Sequence, residues 1–320
     1  MTLRNLKAYL ELFRLPNLFT AVADVSVGYL FVYQSLSPTA VYLALLLASC
    51  LLYTAGMVLN DVYDLKKDAL ERPQRPLPSQ RISVSWATWI GYWMLLMGVA
   101  FAGSSGFLYP SLTAFPWRGA VVGSLLAICI VGYDRCLKQT VTGPVIMGAC
   151  RMLNLLLGMS AADLAAVNVD NPLLGFEAAQ LTAAIGLGIY VAGVTWLARN
   201  EAGESHRWAL VMATTILLAG IFVMSTFPQF FNHPSLEIMD RGQKLPYFLL
   251  FIAAVPAGRC LRAIITPRPS IVQAAVKSCL MTLIFLDAAI CFVIVGSVGA
   301  VGILVLLLPA MTLGKWIYST

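Results

Sequence analysis

From residue 17 to residue 314 this chain is a succession of apolar runs, separated by short stretches that hold most of its prolines and charges. A helix needs ~20 apolar residues to cross the ~30 Å of bilayer hydrocarbon. Runs of that size lie at 17–34, 39–59, 84–104, 119–135, 141–162, 178–198, 208–227, 245–263, 274–294 and 297–314. Within lipid, each backbone polar group has to find its partner inside the same segment, so such runs wind into helices. Several boundaries carry breakers: Ser37-Pro38, Pro78-Ser79, Pro110, Thr142-Gly143-Pro144, Pro267 and Pro269. The prediction is an all-α fold, a polytopic transmembrane helical bundle of nine or ten helices, built as one integral membrane domain over residues 1–320. The count stays open because a single apolar stretch, 278–314, has to hold the last two spans, turned near Gly296 to Gly299.

Composition closes off the other classes. The chain is 59% hydrophobic and only 11% charged, where a soluble domain carries about a quarter charged residues. A net charge of +6 would suit nucleic acid in a soluble protein. In a membrane protein it reads instead as loops facing anionic headgroups or an anionic substrate, with no nucleic-acid partner. Seven cysteines lie in or beside apolar runs without a CxxC pair, as free packing thiols do. Residues 1–16 form an interfacial amphipathic helix, with Leu3, Leu6, Leu10 and Phe13 near one face and Pro16 opening the next segment.

Counting basic residues on alternate sides orients the bundle. Of the 21 Lys and Arg, only Arg118, Arg241 and Lys244 fall on the far side, Arg151 lies within a span, and the other 17 share the side of the N-terminus. That places the N-terminus and the loops 60–83 and 199–207 in the cytoplasm. Trp86, Trp89, Trp117, Trp208 and Trp316 stand near span ends, where interfacial aromatics belong.

The chemistry concentrates where the second run ends. Asn60-Asp61-Val62-Tyr63-Asp64-Leu65-Lys66-Lys67-Asp68 spaces Asp61, Asp64 and Asp68 at i, i+3 and i+7, one face of a continuing helix, with Asn60 beside it. Adjacent carboxylates repel, and a divalent cation relieves that. Oxygen-only ligands at this density suit Mg²⁺. A solvated helix end with pairs to Lys67 and Arg72 fits the spacing as well. The next stretch, Arg72-Pro73-Gln74-Arg75-Pro76-Leu77-Pro78-Ser79-Gln80-Arg81, is a stiff basic loop whose guanidinium groups suit phosphate oxygens. Acidic metal ligands followed by a rigid basic loop at one membrane face are what a diphosphate site requires.

These two stretches resemble the UbiA superfamily of intramembrane prenyltransferases. Asn60 to Asp68 matches its first aspartate-rich signature, and Arg72 to Ser83 its RPxRPLPSxRIS-like segment. More loosely, Arg14-Leu15-Pro16-Asn17 is similar to the family's entry to its first helix, Tyr133 to Lys138 to its YxxxLK-type segment, and Arg151 to Gly158 to its fifth helix. The resemblance implies a UbiA-prenyltransferase-like fold and an enzyme that transfers a prenyl group from a prenyl diphosphate to an acceptor in the membrane, with Mg²⁺ as cofactor. It implies that Asp61, Asp64 and Asp68 hold the metal, and that Asn60, Arg72, Arg75, Lys138, Arg151, Asn154 and Arg199 bind the diphosphate or line its cavity. Tyr133 would either stabilise the allylic cation through its ring face or assist proton removal.

The second signature departs from the pattern. The family usually has another aspartate-rich motif after the sixth helix, and here that place reads Arg199-Asn200-Glu201-Ala202-Gly203-Glu204-Ser205, with Glu201 and Glu204 as the remaining metal ligands. This wording is similar to the UbiA-like proteins of bacterial Ebo-type gene clusters, which implies a bacterial inner-membrane protein with a small polar acceptor such as a cyclitol. A non-catalytic binder or transporter of a prenyl diphosphate, with a degenerate second motif, is the alternative. Asp24, Arg151, Asn154 and Asp287 lie inside spans and should face the bundle interior. Arg151 and Asn154 either line the cavity or belong to a buried pair with Asp24 or Asp287.

Overall fold

The computed structural model describes residues 3–109, 115–161, 174–199, 206–232 and 234–318. The described residues are almost wholly helical. In chain order they form α1 (Leu3–Leu12), α2 (Leu15–Tyr33), α3 (Thr39–Tyr63), α4 (Leu65–Glu71), α5 (Val84–Leu108), α6 (Arg118–Gly132) and α7 (Gly143–Met159). These are followed by α8 (Ala178–Ala198), α9 (Arg207–Thr226), α10 (Leu236–Ile265), α11 (Pro269–Ile294), α12 (Ser297–Val305) and α13 (Leu307–Tyr318). Among these residues nine stretches are long and apolar enough to cross a bilayer, and α7, 17 residues long, is a shorter apolar helix. Every predicted span therefore has a helix. The last one, Ser297–Gly314, breaks at Leu306 into α12 and α13, just ahead of Pro309.

The order of packing follows from side-chain size. α2, α3, α7, α8 and α11 make the centre; α11 is 72% buried through its apolar window, against 22% for α5 and 6% for Ser297–Gly314. The outer helices turn Trp89, Trp93, Leu96, Phe222, Tyr247, Phe251 and Val298 outward, the composition of a lipid-facing surface. Between central helices, apolar burial against lipid gives little driving force, so close approach has to come from small residues. At the α2–α7 crossing, a Cβ on Gly28 would run into the Leu155 carbonyl oxygen and one on Gly158 into the Val25 carbonyl oxygen. That contact brings Asp24 of α2 beside Arg151 of α7.

Arg118 is an exception to the charge count that orients the bundle. Its side chain is fully buried, donating to the Ser160 carbonyl at 3.0 Å and the Met159 carbonyl at 2.8 Å, with its guanidinium 4.4 Å from the Phe176 ring centroid. It caps the carbonyls at the end of α7, where a cation is favoured by the helix dipole. It binds protein and not headgroups.

Candidate active site

The acidic stretch stays helical. Backbone bonds carry on across the join of α3 and α4: Asp64 to Asn60 at 2.9 Å, Asp68 to Asp64 at 2.8 Å and Arg72 to Asp68 at 2.8 Å. Only Asp64 leaves helical geometry, at φ −83° and ψ 3°. Asp61, Asp64 and Asp68 accordingly keep one side of a nearly continuous helix, and Asp61 and Asp68 are buried. Among the described residues, however, no three acidic, His or Cys side chains gather into a metal cage. Each carboxylate is instead met by a base.

Arg75 reaches both ends of the stretch, 2.6 Å from Asp68 Oδ2 and 3.3 Å from Asp61 Oδ1. The proline-rich loop that carries it is folded by its own side chains. Ser79 donates to the Arg75 carbonyl at 2.6 Å and Arg81 to the Gln74 carbonyl at 2.6 Å, while Leu77 and Ile82 are buried. Lys138 donates to Asn60 Oδ1 at 2.7 Å and is ion-paired with Asp64. It is delivered there by the π-helical turn Tyr133–Leu137 that ends α6.

A third base was not foreseen. Arg14 pairs with Asp61 Oδ1 at 2.6 Å. It sits between α1 and α2 with φ +45°, a left-handed conformation that costs an ordinary L-residue ~1–2 kcal/mol. That bend folds α1 back over the acidic end of α3, where Ala8 and Leu12 pack with Val58, Leu77, Ile82 and Ala87 and Glu11 pairs with Arg81 at 2.8 Å. Ala8 and Leu12 are the buried positions of α1 among its described side chains, with Tyr9 and Phe13 packed beside them, and the helix docks on the motif loop. The sequence held one clue: Arg14 precedes an apolar run at the same membrane face as Asp61.

The remaining predicted residues divide. Asn60 is in the network, also donating to Asp64 at 3.4 Å. Arg72 is exposed, and no ion pair ties it to the carboxylates among the described residues. Arg199 donates to the Gln139 carbonyl, next to Lys138. Tyr133 is buried at the start of the π-helical turn. Glu201 and Glu204 lie outside the described residues. Arg151 and Asn154 belong to a separate network: Arg151 pairs with Asp24 Oδ2 at 2.7 Å and Asn154 donates to the same oxygen at 3.0 Å. Ser49 closes it on Asn154 at 2.7 Å, and Asp287 meets Asp24. Asp24 is ten residues beyond Arg14, and Ser49 twelve before Asp61. At 1.5 Å per helical residue this second network lies ~15–18 Å from the first, about half a bilayer.

The donor set fits Mg²⁺. Asp61, Asp64, Asp68 and the Asn60 amide offer hard oxygens and no nitrogen or sulfur ligand. Mg²⁺ characteristically takes one or two carboxylates together with substrate phosphates rather than a closed protein cage.

Comparison with known proteins bears on the family and the fold. The sequence profile of the UbiA prenyltransferase family matches residues 21–236. A digeranylgeranylglyceryl phosphate synthase of Methanococcus maripaludis is 39% identical over 98 residues, 30% of this chain and 34% of that protein. One from Korarchaeum cryptofilum is 30% identical over 184 residues, 56% of this chain and 58% of that one. The chain thus spans about a third of the length of the first curated relatives it matches. A solved digeranylgeranylglyceryl phosphate synthase structure has a TM-score of 0.63 at 16% identity, covering 94% of this chain and 100% of that one. A UbiA homolog from Archaeoglobus fulgidus bound to DMAPP and Mg²⁺ has a TM-score of 0.59 at 16% identity, covering 86% and 98%. At such identities the two structures speak for the fold. The profile match runs through most of the chain and takes in Asn60 to Asp68, the loop to Arg81, Lys138 and Arg199, so this protein belongs to the UbiA prenyltransferase family.

Proposed function

We propose that this protein is a prenyltransferase that moves a prenyl group from an allylic prenyl diphosphate to an acceptor in the membrane, with Mg²⁺ as cofactor. One observation carries the reading. Arg14, Arg75 and Lys138, from three distant parts of the chain, converge on Asp61, Asp64 and Asp68 at one end of the bundle. Each group there has an alternative partner in a metal diphosphate. Asp61, Asp64, Asp68 and Asn60 would hold the cation, and Arg14, Arg75 and Lys138 would take phosphate oxygens. Mg²⁺ supplies neutralisation of the charge that grows on the departing diphosphate as the C–O bond breaks. Arg75 and Lys138 act on the same oxygens. Tyr133, buried at the start of the π-helical turn that leads to Lys138, would stabilise the allylic cation through its ring face or assist proton removal.

In this reading the site faces the cytoplasm, which rests on the distribution of Lys and Arg, and the membrane is a bacterial inner membrane, which rests on the wording of the second motif. A structural neighbour is known bound to DMAPP and to GPP, each with Mg²⁺, and donors of that class are the first to try. The acceptor reading, a small polar molecule such as a cyclitol, rests on the wording of the second motif alone. The test is pyrophosphate release from a prenyl diphosphate by purified protein with Mg²⁺, wild type against Asp64→Asn. The asparagine keeps the shape and removes a charge, so a metal role predicts at least a ~10-fold loss of turnover or of Mg²⁺-dependent donor binding. A surface ion pair would be worth no more than ~1 kcal/mol. Wild-type behaviour in a folded Asp64→Asn protein would defeat the proposal, and tight binding without turnover would make the protein a binder. Mass spectrometry of lipids lost on gene deletion would identify the acceptor.

A further inference from the structure

Asp134 is an unexplained carboxylate at the edge of this site. It lies in the π-helical turn Tyr133–Leu137, in which the Lys138 amide donates to the Tyr133 carbonyl at 3.0 Å, one residue further round than an α-helix allows. Inserted turns of this kind are rare and concentrate at functional sites. This one carries Asp134 and leads directly into Lys138. Lys138 is accounted for by Asn60 and Asp64. Asp134 is not: its Oδ2 is buried with no hydrogen-bond partner among the described residues. Its charge interacts with those of Lys138, Asp64, Arg14 and Asp61, which are members of the site described above.

Pairing the charges isolates it further. Arg14, Arg75 and Lys138 are already engaged by Asp61, Asp64 and Asp68. Asp134 is a fourth carboxylate near bases already committed, Lys138 and Arg14, and a buried acceptor oxygen without a donor is a group that native structures do not leave idle. It also comes from a different element. The other three acids come from the join of α3 and α4, whereas Asp134 hangs from the end of α6. A cation held only from the α3–α4 side would present one face to protein, and Asp134 supplies protein on another.

We propose that Asp134 is a further ligand of the divalent cation, contributed from the end of α6. The proposal rests on the reading of this face as a Mg²⁺–diphosphate site. Its competitor is structural: Asp134, four residues before Lys138, would be only a counter-ion that steadies the lysine.

Mn²⁺ binding, read by electron paramagnetic resonance in detergent with inorganic pyrophosphate present, separates the two. Asp134→Asn should weaken Mn²⁺ binding at least 10-fold, while thermal stability without metal stays the same or rises. Unchanged Mn²⁺ affinity with a lowered melting temperature would overturn the proposal in favour of the counter-ion. Asp134→Ser, smaller and uncharged, gives the same readout if the asparagine variant does not fold. Asp64→Asn in the same titration tells the two failures apart. If Asp64→Asn loses Mn²⁺ and Asp134→Asn does not, only this inference falls. Should both bind as wild type does, or wild type bind no Mn²⁺, the reading of the whole site falls with it.

Discussion

Replacing Arg151 by methionine tests whether the deep network holds the bundle together or serves the substrate. Arg151 is about 10% exposed and Asp24 is fully buried, 2.7 Å apart. Methionine fills most of the volume and removes the charge. Asp24 would then keep only the Asn154 amide at 3.0 Å, next to a second carboxyl, Asp287, whose two oxygens have no donor among the described residues. Removing one partner of a buried ion pair typically costs ~3–5 kcal/mol, because the charge left behind is uncompensated. Against a total stability of about 5–15 kcal/mol this is large. The double variant Asp24→Asn, Arg151→Met removes both charges and keeps an acceptor for Asn154. It should lie at least ~2 kcal/mol above the single variant, a coupling that independent sites do not show. Reversible unfolding in mixed micelles gives the free energies, and donor binding with Mg²⁺ is measured on the same samples. An Arg151→Met protein as stable as wild type that binds prenyl diphosphate 10-fold more weakly would refute the reasoning and return Arg151 to the diphosphate.

Three further outcomes follow from the same geometry. Leu12→Ala cuts a fully buried contact of α1. It should cost ~2–5 kcal/mol locally, seen as faster proteolysis of the N-terminus and as weaker donor binding through the displaced Arg14. Leu70→Cys, at a position 88% exposed on α4, should be labelled by an impermeant thiol reagent only from the cytoplasmic side; labelling only from outside would invert the orientation. Glu201→Gln should lower turnover severely if that glutamate faces the metal, and a variant indistinguishable from wild type would leave Asp134 as the carboxylate offered to the metal from outside the α3–α4 stretch.

The long-range architecture was legible in the sequence because lipid enforces it: an apolar run of bilayer length has no option but a helix, and all ten runs became helices. The acidic face was legible for a similar reason, since i, i+3, i+7 spacing survives wherever backbone hydrogen bonding continues, as it does from Asn60 to Arg72. Which bases meet those acids was not. Arg72 and Arg75 look alike in a basic loop, and only its folding, through Ser79, Arg81 and the buried Leu77, brings Arg75 in and leaves Arg72 outside. Arg14 required a backbone bend at an ordinary residue, which no local preference announces. Arg151 and Asn154, in a stretch similar to the family's fifth helix, lie ~15–18 Å from the acidic face by helical rise, a distance that spacing along the chain conceals because Asp24, Ser49 and Asp287 come from other helices. Periodicity fixes what a residue can face along its own helix; charge then decides which helices meet. At the acidic face three bases answer three of four carboxylates, and in the deep network one arginine stands beside two. In both places the carboxylate left over, Asp134 or Asp287, is the one to mutate first.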